Sequence, residues 1–89
     1  MSHAETLALL RERLARLDPE SLQLEDESHR HAGHAGAREG GHFRVDIVAK
    51  VFSGKNTLAR HRLVYDAVGD LMQGRIHALA IDARAPDNQ

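Results

Sequence analysis

Apolar side chains recur at three- and four-residue spacing in the first part of the chain, which predicts an amphipathic helix over 4–17. Ser2 is suited to cap the start of this helix through its side-chain oxygen. Pro19 disfavours helical geometry at Asp18, so the helix is expected to end before that residue. The apolar stripe of the helix comprises Leu7, Leu10, Leu14 and Leu17.

Three further segments alternate apolar and polar residues, which is the period of a strand with one buried face. The first covers 21–26, the longest covers 42–51 with an interruption at Val48, and the last covers 76–83. Such alternation is typical of a sheet that has helices on one face and solvent nearer the other. The pattern therefore predicts three strands.

A second helix is predicted between the last two strands. The turn over 52–56 places Gly54 where a positive φ is needed. Thr57 is expected to cap the helix, which runs to about Gln73, and Gly74 is expected to end it. Its apolar stripe is expected to comprise His61, Val64, Tyr65, Val68, Leu71 and Met72, widened by Leu58 and Leu63.

The predicted elements follow one another in the order α-β-β-α-β and form an α+β domain that spans residues 1–89. Residues 28–41 contain four glycines and show no apolar period, which predicts a flexible loop. Residues 84–89 are expected to form a frayed tail.

Composition narrows the chemistry. The chain has no cysteine and 7 histidines, so it excludes disulfides, thiolate catalysis and metal sites built from its own sulfur. A formal net charge of -1 does not favour binding of nucleic acid over the whole surface.

The N-terminus does not have the pattern of a targeting peptide, and no apolar run approaches the length of a membrane span, so a cytoplasmic location is expected. No catalytic motif stands out, and the chain is expected to act by binding, not as an enzyme.

Several short motifs carry a family resemblance. The long strand is followed by Phe52-Ser53-Gly54, the second helix contains Arg60-His61-Arg62, and the last strand contains His77-Ala78-Leu79. In order and spacing this set resembles the BolA family. Upstream, a Glu27-Ser28 pair followed by a histidine-containing loop also fits, so the resemblance covers roughly 7–86.

The resemblance implies a fold like a class II KH domain with α-β-β-α-α-β order, in which a further short helical turn lies near 56–59. It also implies one of two functions. BolA-like proteins pair with monothiol glutaredoxins and share a [2Fe–2S] cluster with them or form an apo complex, in iron–sulfur cluster trafficking or iron sensing. Some bacterial members are linked instead to DNA binding and transcriptional control.

The resemblance also selects candidate cluster ligands. His77 occupies the position that supplies a ligand in BolA-like proteins, although by itself it is as compatible with a structural histidine at a strand edge. The second ligand of the family comes from the loop between the first two strands, where the pattern selects His31, three residues after Ser28, with His34 and His29 as fallbacks. The thiolates would come from a glutaredoxin cysteine and from glutathione bound to that partner.

Strict alternation in the last strand places the His77 side chain on the opposite face of the sheet from the side chains of both its neighbours.

The remaining histidines are expected to be structural or solvated and not to act as ligands. His61 is expected to pack between helix and sheet, His42 is expected to be structural, and His3 is expected to be solvated near the terminus.

Basic residues around the turn and the second helix support the alternative of a KH-like DNA-binding regulator. Such a helix N-terminus could lie against phosphates. However, the turn lacks the Gly-x-x-Gly loop of KH domains, and aromatic residues for base stacking are nearly absent. The basic residues are Lys50, Lys55, Arg60 and Arg62.

Overall fold

The predicted helices and strands form in the predicted order in a computed structural model of the chain, which describes residues 2–28 and 41–87. The α+β fold class is therefore confirmed. The predicted loop over 28–41 lies mostly outside the described residues. The elements are α1 (His3–Leu14, continued by a 3₁₀ turn over Ala15–Leu17), β1 (Ser21–Asp26), β2 (Gly41–Val48), α2 (Thr57–Val68) and β3 (Ile76–Arg84).

The three strands form one mixed sheet in the order β1-β2-β3. The pair β1 and β2 is antiparallel, whereas β2 and β3 are parallel, so α2 lies in the crossover between them. Buried side chains of the central strand β2 face the helices. The fully buried large side chains of this core include Leu10, Leu14, Phe43, Val45, Ile47, Phe52, Val64 and Val68. Each such burial contributes about 1.5–3 kcal/mol relative to exposure.

The start of α1 confirms the predicted cap. The Ser2 hydroxyl accepts a hydrogen bond from the Glu5 N–H at 3.1 Å, and the Glu5 carboxylate accepts one from the Ser2 N–H at 3.3 Å. Two of the free N–H groups at the helix start are thereby satisfied. At the other end Asp18 adopts φ 53°, and the helical path ends before Pro19 as predicted.

The strand β2 is shorter than predicted, because it ends at Val48 and not at 51. A 3₁₀ turn over Lys50–Phe52 bends the chain so that Phe52 enters the core, while Val51 is 37% exposed. The separate helical turn expected near 56–59 does not form, because 57–59 belong to the first turn of α2; a short helical element is found instead at this 3₁₀ turn. The chain then turns at Gly54, which has the expected positive φ of 76°.

The helix α2 also differs from its prediction at both ends. Asn56, not Thr57, is the N-cap, and its side-chain oxygen accepts a hydrogen bond from the Ala59 N–H at 2.9 Å. The α-helix ends at Val68 because Gly69 adopts φ 62°, and a 3₁₀ turn over Gly69–Met72 follows.

The apolar stripe of α2 is narrower than predicted. Val64, Val68 and Leu71 are buried, but Leu58 is 60% exposed and Tyr65 is 42% exposed. The predicted stripe was too wide because it took in two side chains that point away from the sheet.

The segment after β3 is packed, in contrast to the frayed tail predicted from residue 84. The strand continues to Arg84, whose carbonyl accepts a hydrogen bond from the Ala49 N–H at 3.0 Å, and Ala85 is fully buried. Among the helices of the described residues, none has the length and apolar character needed to cross a membrane.

Candidate functional site

The sheet topology gathers several polar side chains at one end of the molecule. Because β1 is antiparallel to β2 and β2 is parallel to β3, the last residue of β1 lies beside the first residues of the other two strands. Asp26 pairs with Phe43, and Gly41 pairs with Ile76. We call this the histidine end, formed by His3, Asp26, Ser28, His42 and His77.

The candidate loop ligands His29, His31 and His34 lie outside the described residues. The residues that flank them are described, however, and both belong to the histidine end. Ser28 follows β1 directly, and Gly41 pairs with the residue before His77. The topology therefore places the two flanking residues, Ser28 and Gly41, at the same end of the sheet as His77.

His77 is the extra residue of a β-bulge. Gly41 pairs with Ile76, but the next residue of β2, His42, pairs with Ala78. One residue of β3 is thus left without a pairing position in β2. Ile76 is buried, whereas His77 and Ala78 are both exposed. The prediction that the His77 side chain lies opposite those of both its neighbours is therefore wrong for Ala78, because the bulge breaks the alternation.

The imidazole of His77 lies beside that of His42. The two ring centroids are 5.1 Å apart, and the ring planes are inclined at 48°. His42 is half-buried, in contrast to the exposed His77. Sequence analysis missed this pair, since the two residues are distant along the chain and meet only through the register of β2 and β3.

The backbone of His42, which follows the 29–40 segment, is hydrogen-bonded to residues that precede the segment. Its N–H donates to the Ser28 hydroxyl oxygen at 3.0 Å, and its carbonyl accepts from the Glu27 N–H at 2.7 Å. Ser28 is held in turn, because its N–H donates to the Asp26 carboxylate at 2.9 Å. These bonds join residues 26–28, which precede the 29–40 segment, to His42, which follows it.

Gly41 allows this close approach. A Cβ atom at position 41 would overlap the Phe43 ring and would lie 3.2 Å from the Ser28 hydroxyl oxygen. The Phe43 ring is itself 1% exposed, so it has little room to move away. A glycine at this position is therefore required by packing.

His3 contributes to the histidine end as well. Its ring contacts Phe43 edge to face with centroids 5.6 Å apart, and its Nδ1 lies 3.4 Å from the Asp26 carboxylate. The His3 side chain is 41% exposed, so the prediction of a solvated histidine holds in part, but its contacts with Phe43 and Asp26 were not predicted. The capping of α1 by Ser2 places His3 in the first turn.

The donor set limits what the described residues can bind. Within 2–28 and 41–87, no group of three or more His, Cys, Asp or Glu side chains is arranged to hold a metal ion. His77 can nevertheless serve as a single exposed ligand, because a neutral imidazole is a suitable donor for iron. A metal centre at His77 would need donors from the 29–40 segment and from a partner.

The basic residues of the alternative function lie elsewhere. Lys50 and Lys55 belong to the opposite end of the sheet, which we call the turn end and define as residues 48–56 and 83–87. Arg60 reaches into it, donating from Nε to the Lys55 carbonyl at 2.8 Å and from Nη1 to the Ala83 carbonyl at 3.2 Å. Lys50, Lys55 and Arg62 are exposed. One of the four cations is thus engaged within the fold.

Comparison with known proteins places the chain in a family. Residues 14–88 match the sequence model of the BolA-like protein family. BolA-like protein 1 of Mus musculus is 47% identical over 70 residues, which are 79% of this chain and 50% of that protein. SufE-like protein 1, chloroplastic/mitochondrial, of Arabidopsis thaliana is 43% identical over 84 residues, or 86% of this chain and 23% of that protein.

The chain therefore spans half the length or less of these two relatives. Among solved structures, BolA1 from Arabidopsis thaliana superposes with a TM-score of 0.80 at 36% identity, covering 94% of this chain and 95% of the other. Sequence and fold agree, and the chain belongs to the BolA-like protein family.

Proposed function

We propose that this protein binds a monothiol glutaredoxin and shares a [2Fe–2S] cluster with it, in iron–sulfur cluster trafficking or iron sensing. The observation that carries the proposal is the exposed imidazole of His77. It lies on a β-bulge at the end of the sheet where the histidine-bearing 29–40 segment leaves and returns. Bulges are over-represented beside functional sites because they redirect a side chain.

In this proposal His77 and His31 are the two ligands from this chain, with His34 and His29 as fallbacks for the second. The absence of cysteine means that thiolates must come from the partner, namely a glutaredoxin cysteine and its bound glutathione. A cluster with two imidazole ligands supplies one-electron chemistry at a higher potential than one ligated by thiolates alone.

The residues of this chain have distinct tasks in the proposal. His77 presents a lone pair at the surface, which requires the neutral form of its imidazole. Ser28 and Asp26 hold the root of the 29–40 segment through their hydrogen bonds, at 3.0 Å to the His42 N–H and at 2.9 Å from the Ser28 N–H respectively. The proposal thus joins an exposed ligand to a segment that is preceded by a residue, Ser28, held by hydrogen bonds on both sides.

Reconstitution tests the proposal. The protein is mixed with a monothiol glutaredoxin, glutathione, iron and sulfide, and visible circular dichroism is recorded. We expect a spectrum that differs from that of the glutaredoxin homodimer cluster. His77→Ala should abolish the difference, whereas His61→Ala, a half-buried histidine of α2, should leave it.

The loop variants refine the ligand assignment. His31→Ala should remove the mixed-cluster spectrum, and His34→Ala should retain it. The reverse result would move the second ligand to His34. A spectrum identical to the homodimer cluster with the unaltered chain would contradict the proposal as a whole.

The DNA-binding alternative through Lys50, Lys55, Arg60 and Arg62 gains no support from the relatives or from the position of Arg60. The cytoplasmic location likewise stays a prediction, and the Arabidopsis thaliana relatives include chloroplast and mitochondrial proteins.

A further inference from the structure

An exposed ligand side chain loses freedom when it binds. A histidine at the surface of a strand samples several χ1 rotamers, and holding one of them costs conformational entropy. Ligating histidines are commonly oriented by a neighbouring group, which reduces that cost. The surroundings of the exposed His77 ring therefore bear on its use as a ligand.

We propose that His42 is a positioning residue for His77 and limits the orientations of its imidazole through ring contact. This inference rests on the proposed function, because it assigns a role beside the proposed ligand. Its basis is the contact between the two rings, with centroids 5.1 Å apart and planes inclined at 48°.

The direction of the effect follows from how each residue is held. The His42 backbone is bonded on both sides, to the Ser28 hydroxyl and to the Glu27 N–H. Its side chain is half-buried, and its Nε2 atom is shielded from solvent. His77, in contrast, is exposed. The ring of His42 is thus held more firmly than the ring of His77, which packs against it.

The bulge creates this arrangement. In unbroken register the residue after Ile76 would pair with His42, but Ala78 takes that position instead. Ala78 has a small side chain, and the ring of the extra residue His77 lies beside His42. The geometry therefore supports a role for contact with the His42 ring as a whole, and not for one of its two nitrogen atoms.

The first test needs no cluster. Three-bond couplings between Hα and Hβ of His77, measured by NMR on the metal-free protein, report its χ1 populations. We expect one dominant rotamer in the unaltered chain, averaging in His42→Ala, and a dominant rotamer again in His42→Phe. Averaged couplings in the unaltered chain, or unchanged couplings in folded His42→Ala, would overturn the inference.

The second test uses the reconstituted complex with glutaredoxin, glutathione, iron and sulfide. His42→Ala should weaken retention of the mixed cluster by about tenfold, in the range seen for groups that orient metal ligands. His42→Phe should recover most of that loss. If His42→Phe is as defective as His42→Ala while both are folded by circular dichroism, His42 acts through its nitrogens and the ring-contact inference is wrong.

The two failures are distinguishable. If the unaltered chain forms no mixed cluster, the proposed function is contradicted, and the NMR couplings still decide whether His42 orients His77. If the mixed cluster forms but the His77 couplings do not respond to His42, only the positioning role is lost.

Discussion

The two ends of the sheet are built differently. At the turn end, a backbone hydrogen bond joins the Glu20 N–H to the Val48 carbonyl at 2.7 Å, and Phe52 and Ala85 are fully buried. At the histidine end, backbone bonds are joined by bonds to the Ser28 and Asp26 side chains, and His77 remains exposed while Phe43 is buried. Both ends are packed, but the histidine end also presents polar groups that can bind.

The largest effect on stability is expected from truncation of a core side chain at the turn end. Phe52→Ala should lower the free energy of unfolding by about 3–5 kcal/mol, because it leaves a cavity as well as losing buried apolar surface. Val51→Ala, at the exposed neighbouring residue, is the control and should change the free energy of unfolding by about 0.5 kcal/mol or less. Urea unfolding followed by circular dichroism measures both.

The matching change at the histidine end is His77→Ala. It should alter the free energy of unfolding by about 0.5 kcal/mol or less, because the side chain is exposed. A loss for His77→Ala comparable to that for Phe52→Ala would contradict the division between the two ends.

Gly41 is the place where the histidine end does depend on packing. Gly41→Ala should lower the free energy of unfolding by about 1–3 kcal/mol, because the added methyl group overlaps the Phe43 ring. Combining it with Phe43→Leu should cost less than the sum of the two single changes. Additive losses in the urea unfolding of the double variant would show that the Phe43 ring is not the obstacle.

The hydrogen bond at Ser28 should matter less. Ser28→Ala removes the acceptor for the His42 N–H and should lower the free energy of unfolding by about 1 kcal/mol. Amide hydrogen exchange at His42 should become faster in this variant. Ser53→Ala at the turn end, where the hydroxyl meets Asp87 at 3.2 Å on the exposed surface, is the control and should have a smaller effect. Unchanged exchange at His42 would contradict the assigned bond.

The smallest expected effect is on the thermal stability of the protein at low pH. Hydrogen bonds from the backbone N–H and the side chain of Ser2 lower the pKa of Glu5. Because the pKa is lowered on folding, the stabilisation is present above the ordinary pKa of a glutamate and is lost as pH falls through the lowered value. Glu5→Gln keeps an acceptor for the cap, so it should reduce the fall in Tm between about pH 5 and pH 3. Glu12→Gln, on the exposed side of the same helix, is the matched variant that leaves the cap intact.

Local patterns predicted the parts of the fold that depend on local interactions. The bounds of β1 and the cap at Ser2 are as predicted, because alternation and capping involve residues near in sequence. The end of α2 was misplaced, because the positive φ of Gly69 interrupts an apolar stripe that continues through Leu71.

The site depended more on long-range pairing. His77 was selected through the family motif; the structure shows that its side chain is exposed, and its role as a ligand stays a prediction. Its contact with His42 and the contact of His3 with Phe43 could not be predicted, because both arise from strand register and from the placement of α1 over the sheet. The bulge does leave one signal in the strand, because the apolar residues Ile76, Leu79 and Ile81 change phase across it.

The bulge has a consequence for how such a chain can change by insertion and deletion. If residue 77 were deleted, not substituted, Ile76 and Ala78 would become adjacent and would pair with Gly41 and His42 in unbroken register. Every later side chain of β3 would keep its face, so the core would keep its composition. For the sheet alone His77 is therefore a supernumerary residue, since neither the pairing of β2 with β3 nor the core requires it.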